Sequence, residues 1–155
     1  MIRLLTTTAV LIVFLTSSCG SISQASMKGR AVECKPCDDA VLASIDRTSR
    51  LTRRDIRVFF CTLDSICSSA AEFSEGSNEL LFELLLDYPE YCLNALDDPH
   101  FKSRVPFILD MIESPVNDLI DLREIHKRIE GVRSNTNNTK EAVLKALSLG
   151  IVKNH

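Results

Sequence analysis

The stretch Thr52 to Ile66, TRRDIRVFFCTLDSI, decides the fold class. Thr52 followed three residues later by Asp55 is a shortened capping box, in which a hydroxyl and a carboxylate satisfy the first free backbone groups of a helix. Ile56, Phe59, Phe60, Leu63 and Ile66 then recur at steps of three and four, so they predict one buried helical stripe. A strand would alternate at every second residue, and no such alternation runs for more than a few residues anywhere in the chain.

The same period extends outward on both sides. Upstream, helical patterning begins at Cys37, with Asp38 and Asp39 placing negative charge in a first turn as the helix dipole favours, and Val41, Leu42 and Ile45 forming the apolar face. Downstream, Ser74 to Asn78, with Gly76, read as a turn. Leu80, Leu81, Phe82, Leu84, Leu85 and Leu86 are apolar nearly all round a helix, so they must be buried on several sides or face something apolar. Pro89 suits the first turn of a new helix, and Asp98-Pro99 and Ser114-Pro115 are start signals of the same kind. From Pro115 the stripe Val116, Leu119, Leu122, Ile125, Ile129 and Val132 predicts about five helical turns. Residues 134–139 read as a polar loop, and Lys140 to Val152 as a last helix.

Composition agrees with an all-α fold. The chain is 45% apolar with seven Phe, two Tyr and no Trp, so its core is mainly aliphatic, and five Gly with five Pro are few for a turn-rich β-sandwich. Arg3 followed by the apolar run Ala9 to Leu15 and then small residues is the layout of a signal peptide cleaved after Ala25. The run is too short to span a bilayer. Lipidation of Cys19 is the competing reading of this segment. Residues 26–33 then form a flexible leader, and cleavage leaves about 130 residues, one ordinary domain.

Charge is unevenly spread. Arg47, Arg50, Arg53, Arg54 and Arg57 make one basic group, whereas Val58 to Phe101 are acidic and hold no Lys or Arg. The arginines are either a solvated face or a docking patch for anionic head groups or acidic glycans. Export, overall acidity and the lack of aromatic residues beside the arginines exclude a nucleic-acid partner. The scattered His100, His126 and His155 show no metal-ligand spacing, no cofactor motif occurs, and no glycine-rich phosphate loop or nucleophile motif supports an enzyme.

Cysteines sharpen the reading. In an exported chain, Cys34, Cys37, Cys61, Cys67 and Cys92 are expected to form disulfides, with one left over. Cys34-Lys35-Pro36-Cys37, then Cys61 at the end of a second helix, Cys67, and Cys92 after the Pro89 helix start resemble the saposin family over Cys34 to Leu96. The resemblance implies helical hairpins over residues 34–98, extended here by a C-terminal helical region over 99–155, and it implies the bridges Cys37–Cys92 and Cys61–Cys67. Two features depart from the family: no sixth cysteine follows Cys92, and Cys61 and Cys67 would be about 9 Å apart along an unbroken helix, so the helix must break between them. Cys34 would then lack an intrachain partner and could link two copies as a homodimer.

The resemblance implies a secreted protein that binds lipid or a membrane surface through an apolar face. Phe59, Phe60, Leu80, Leu81, Phe82, Leu84, Leu85 and Leu86 would supply that face, and the five arginines would meet anionic head groups. The competing class is an extracellular interaction protein, in the manner of a cytokine or a cell-surface ligand, with no lipid ligand. Asn137-Asn138-Thr139 is a glycosylation sequon.

Overall fold

The fold is taken from a computed structural model, which describes residues 35–133 and 137–154; the side chain of Asn137 is outside that description. Among the described residues it is all-α. Helix α1 spans Asp39–Asp46, α2 Arg53–Thr62, α3 Ala71–Asp87, α4 Pro89–Leu96, α5 Val105–Glu113, α6 Leu122–Gly131 and α7 Asn137–Lys153, with 3-10 turns at Ser65–Ser69 and Pro99–Phe101. None of the described helices is long and apolar enough to cross a membrane.

Local chemistry explains most of the helix starts. Asp38 accepts a hydrogen bond from the Ala40 N–H at the start of α1. The Thr52 and Asp55 side chains form the expected capping box on α2, and Pro89 occupies the first turn of α4. Asp98 caps the turn Pro99–Phe101, and Asp121 accepts from the N–H groups of Arg123 and Glu124 to start α6. Each such cap contributes about 1 kcal/mol by satisfying donors that the helix leaves free.

Helix α3 lies at the centre, packed on α1, α4, α5 and α6, while α2 packs on α1 and α4, and α7 closes over α5 and α6. One core runs through all of these. It includes Ile56, Phe59 and Phe60 from α2, Leu81 and Leu85 from α3, Leu93 from α4, Ile112 from α5, Ile129 from α6 and Leu147 from α7. The Phe59 and Phe60 rings meet edge to face at 5.6 Å, and Phe60 is 6.4 Å from Phe101, which ties α2 to the turn after α4. Residues on both sides of Asp98 share this core, so the helices after Pro99 are part of the same packed body.

Five expectations are corrected. Ser74 to Asn78 are not a turn but lie within the first two turns of α3. A lone glycine costs a helix only about 1 kcal/mol, and inward-facing Phe73, Ser77, Leu80 and Leu81 outweigh it. The long helix predicted from Pro115 is confined to Leu122–Gly131. Ahead of it the Asn117 side-chain oxygen accepts from the Leu119 N–H and the Asn78 side-chain oxygen accepts from the Val116 N–H, so side-chain bonds replace the helical ladder and leave Val116 and Leu119 exposed. Ile66 is also exposed, because α2 ends at Thr62 and Asp64 starts a new turn in a different register. The last helix begins at Asn137, so the sequon belongs to its first turn.

The fifth correction concerns the disulfides. Cys37 is bonded to Cys67, not Cys92, and the pair Cys61–Cys67 is not formed. The end of α2 and the Ser65–Ser69 turn bring Cys67 back to the start of α1, where the Cys37 N–H also donates to the Thr62 carbonyl at 3.0 Å. Cys92 is a free thiol on the inner face of α4, fully buried in the aliphatic core. Cys61 is disulfide-bonded, and its partner lies outside the described residues. Cys34, Cys19 and the signal and leader segments also lie outside them.

Candidate interaction surface

The apolar residues singled out as a lipid face are enclosed. Phe59, Phe60, Leu81, Phe82, Leu84 and Leu85 are at most 2% exposed, Leu80 is 8% exposed, and Leu86 is partly buried against the same cluster. Phe59 and Phe60 point from α2, and the leucines from α3, into one shared interior.

The five arginines remain on the surface, but they are not equivalent. The Arg53 guanidinium bonds Glu90 on α4 at 3.1 Å and lies 5.2 Å from the centre of the Tyr91 ring. Arg57 reaches Asp98 at 2.7 Å. Arg47, Arg50 and Arg54 are exposed and have no acidic partner among the described residues. Arg53 and Arg54 stand in the first turn of α2, where the helix dipole opposes positive charge, and Asp55 and Glu90 offset them there.

Asp98 gathers three contacts. Its carboxylate takes Arg57, the His100 backbone N–H at 3.0 Å and the His100 ring nitrogen at 2.8 Å. Burial works against its charge, but the His100 hydrogen bonds and the Arg57 charge prevail and hold the carboxyl below the usual carboxylate range.

A groove forms where α3 turns into α4. Tyr88 leaves the helical region because a residue before proline is kept out of it, and the break places Tyr88 and Tyr91 side by side with rings 6.1 Å apart and nearly parallel. The Tyr88 hydroxyl accepts from the Leu51 N–H at 3.4 Å, which anchors this corner beside the cap of α2. The end of α6 supplies the opposite wall through Gly131, Val132 and Arg133, enclosing about 490 Å³. Asp87, Glu90 and Arg133 put both signs of charge on the rim. The groove pairs aromatic faces with a rim carrying both signs of charge, an arrangement suited to holding a ligand that is part apolar and part charged. In the sequence Pro89 reads only as a helix start; the signal for the groove is Tyr88-Pro89 followed by Tyr91 at helical spacing. Among the described residues no group of three His, Cys, Asp or Glu is placed to hold a metal ion.

No protein-family description, no curated protein and no solved structure matches this chain.

Proposed function

We propose that this chain is an exported helical interaction protein that docks a partner on its surface, with the Tyr88–Tyr91 groove and the neighbouring arginines as the contact region. The observation that carries this reading is the enclosure of the leucine run and of Phe59 and Phe60 in a core shared with the C-terminal helices. A lipid-binding face would have to open by separating α3 from α1, α4, α5 and α6, exposing core that stabilises the fold at roughly 25 cal/mol per Å². Export is supported by the signal-like first residues and by the disulfide Cys37–Cys67, which persists in an oxidising compartment.

The test compares the two ligand classes on one preparation. Organic extraction of the purified protein, and flotation with phosphatidylserine-containing vesicles, are expected to give no stoichiometric lipid and no leakage. Selection from a random peptide display library is expected to yield binders that lose at least tenfold affinity with Tyr91→Ala. One bound acyl chain per protein, or vesicle leakage, would replace this reading with the lipid one.

A further inference from the structure

A second cleft lies between α1 and α3, with Leu42, Ala43, Gly76 and Leu80 as its floor and Asp46, Glu79 and Glu83 as its rim. Its volume is about 280 Å³. The ion pairs of the described residues all lie away from this cleft: Asp38 with Lys35, Asp64 with Arg104, Glu90 with Arg53, Asp98 with Arg57, Glu113 with Lys153 and Glu124 with Arg128. Around this cleft, among the described residues, Asp46, Glu79 and Glu83 meet no cation, and Glu79 accepts only from the neutral Asn117 side-chain amide at 3.0 Å. The chain cannot supply a neighbour from α3 itself, since Val58 to Phe101 hold no Lys or Arg. Partial burial and the charges of Asp46, Asp87 and Glu79 raise the Glu83 pKa above its ordinary value, as expected where like charges crowd without compensation.

Gly76 adds an independent observation. A glycine inside a helix destabilises it relative to alanine, so its presence needs a reason. Neither backbone nor packing supplies one: no glycine has a positive φ among the described residues, and a Cβ at Gly76 would meet only Leu42 Cδ1 at 3.8 Å, an ordinary contact. What the missing side chain does is leave the floor open between Leu42 and Leu80.

We propose that the α1–α3 cleft is a docking site for a basic amphipathic segment of a protein partner, whose apolar side chains rest on Leu42, Ala43 and Leu80 while its Lys or Arg side chains face Asp46, Glu79 and Glu83. The apolar floor selects against a purely charged ligand, and the uncompensated rim sets the sign of the partner. This site is distinct from the Tyr88–Tyr91 groove and does not depend on it.

The probe is a synthetic amidated helical peptide with Leu on one face and Lys on the other, titrated into the full oxidised chain and followed by fluorescence anisotropy and amide chemical shifts. Saturable binding is expected, with shifts centred on Ala43, Gly76 and Glu83 and with affinity falling several-fold as salt rises. The triple variant Asp46→Asn, Glu79→Gln, Glu83→Gln, whose changes are all at exposed positions, should weaken binding at least tenfold, and Gly76→Phe should do the same by filling the floor. Tyr91→Ala should leave it unchanged. Equal binding by a peptide of the same composition with its leucines scrambled would reduce the effect to bulk charge and overturn the proposal, as would full affinity in the triple variant. A peptide-free dimer in sedimentation that the triple variant abolishes would make a second copy the occupant and overturn the partner assignment.

Discussion

Cys37 and Cys67 are joined with their Cα atoms 5.5 Å apart, so the start of α1 is fastened to the turn that follows α2. Cys37 sits at a φ of 55°, in the left-handed region that a side chain other than glycine's enters at a cost, and the bridge together with its hydrogen bond to Thr62 holds it there. A link across 30 residues should stabilise the fold by about 3.5 kcal/mol through loop-closure entropy. Cys67→Ser is therefore expected to lower the unfolding free energy by about that amount in urea. Peptide mapping without reduction should recover Cys37 with Cys67, and Cys61 in oxidised form. Recovery of Cys37 joined to Cys92 would remove this account.

Cys92 should behave as a silent thiol. It is buried on α4, and burial pushes its pKa far above the ordinary thiol value, so almost no thiolate forms at neutral pH. A thiol-reactive dye is expected to label it only once denaturant unfolds the chain, at a rate that follows global opening. Rapid labelling of Cys92 in the native protein would contradict its place in the core.

What the sequence disclosed was local. The Thr52–Asp55 cap, the Pro89 start and the inward face of α2 are properties of a few adjacent residues, and a reader of the chain could find each of them. The loop after Ser114 was hidden because Val116, Leu119 and Leu122 keep helical spacing while Asn78, some 38 residues upstream, competes for the Val116 N–H. Nothing in the period of a stripe reveals a distant competitor. The disulfide was hidden for a similar reason: cysteine spacing constrains pairing only when the turns between helices are known, and the pairing implied by resemblance assumed different turns. Of the proposed surface, the arginines were legible as a charge cluster. The groove beside them depends on how α6 meets the α3–α4 corner.

Two glycines should respond in opposite directions. Gly76→Ala adds a methyl at ordinary contact distance inside α3 and should stabilise the fold by about 0.5–1 kcal/mol. A Cβ at Gly150 would lie 3.0 Å from the Glu113 carbonyl oxygen and 3.1 Å from Leu122 Cδ1, where α7 crosses the end of α5. Backbone cannot yield there, so Gly150→Ala should cost about 1–3 kcal/mol. Thermal unfolding of the two variants measures both, and a matching sign would refute the packing described at one of the positions.

Acid dependence should also split by residue. Asp98 has its pKa lowered in the folded state, so its contribution is present above the unfolded carboxylate value of about 4 and is lost as pH falls through the lower folded value. Asp98→Asn should therefore destabilise at neutral pH and lose that effect in acid. Glu83 has its pKa raised, so its charge costs stability at neutral pH, and that cost disappears as pH falls below the folded value. Glu83→Gln is expected to raise the melting temperature at about pH 7 and to have no effect near pH 4. Melting curves taken from neutral pH into strong acid should show Glu83→Gln converging on the unmodified chain first and Asp98→Asn converging from the opposite side only below about pH 4, and parallel curves would count against both assignments.

Asn78 should be the most sensitive polar position in the interior. Its side chain is 3% exposed, its amide nitrogen donates to the Met111 carbonyl at 3.2 Å, and its oxygen accepts from the Val116 N–H at 3.0 Å. One side chain on α3 thus satisfies both the end of α5 and the loop that replaces the expected helix. Asn78→Ala removes both bonds and strands a buried donor, for an expected loss of about 2–4 kcal/mol. Asn78→Leu restores volume but not the bonds, so it should rescue little. Asn78→Asp keeps the acceptor for Val116 while giving up the donor to Met111 and burying a charge, and it should destabilise most at neutral pH and recover partly in acid. Hydrogen exchange separates a local effect from a global one. The Val116 amide should exchange at least tenfold faster in Asn78→Ala than global destabilisation alone accounts for, because the loop opens before the core does. If Val116 instead keeps pace with the core amides, the loop is held by something other than Asn78.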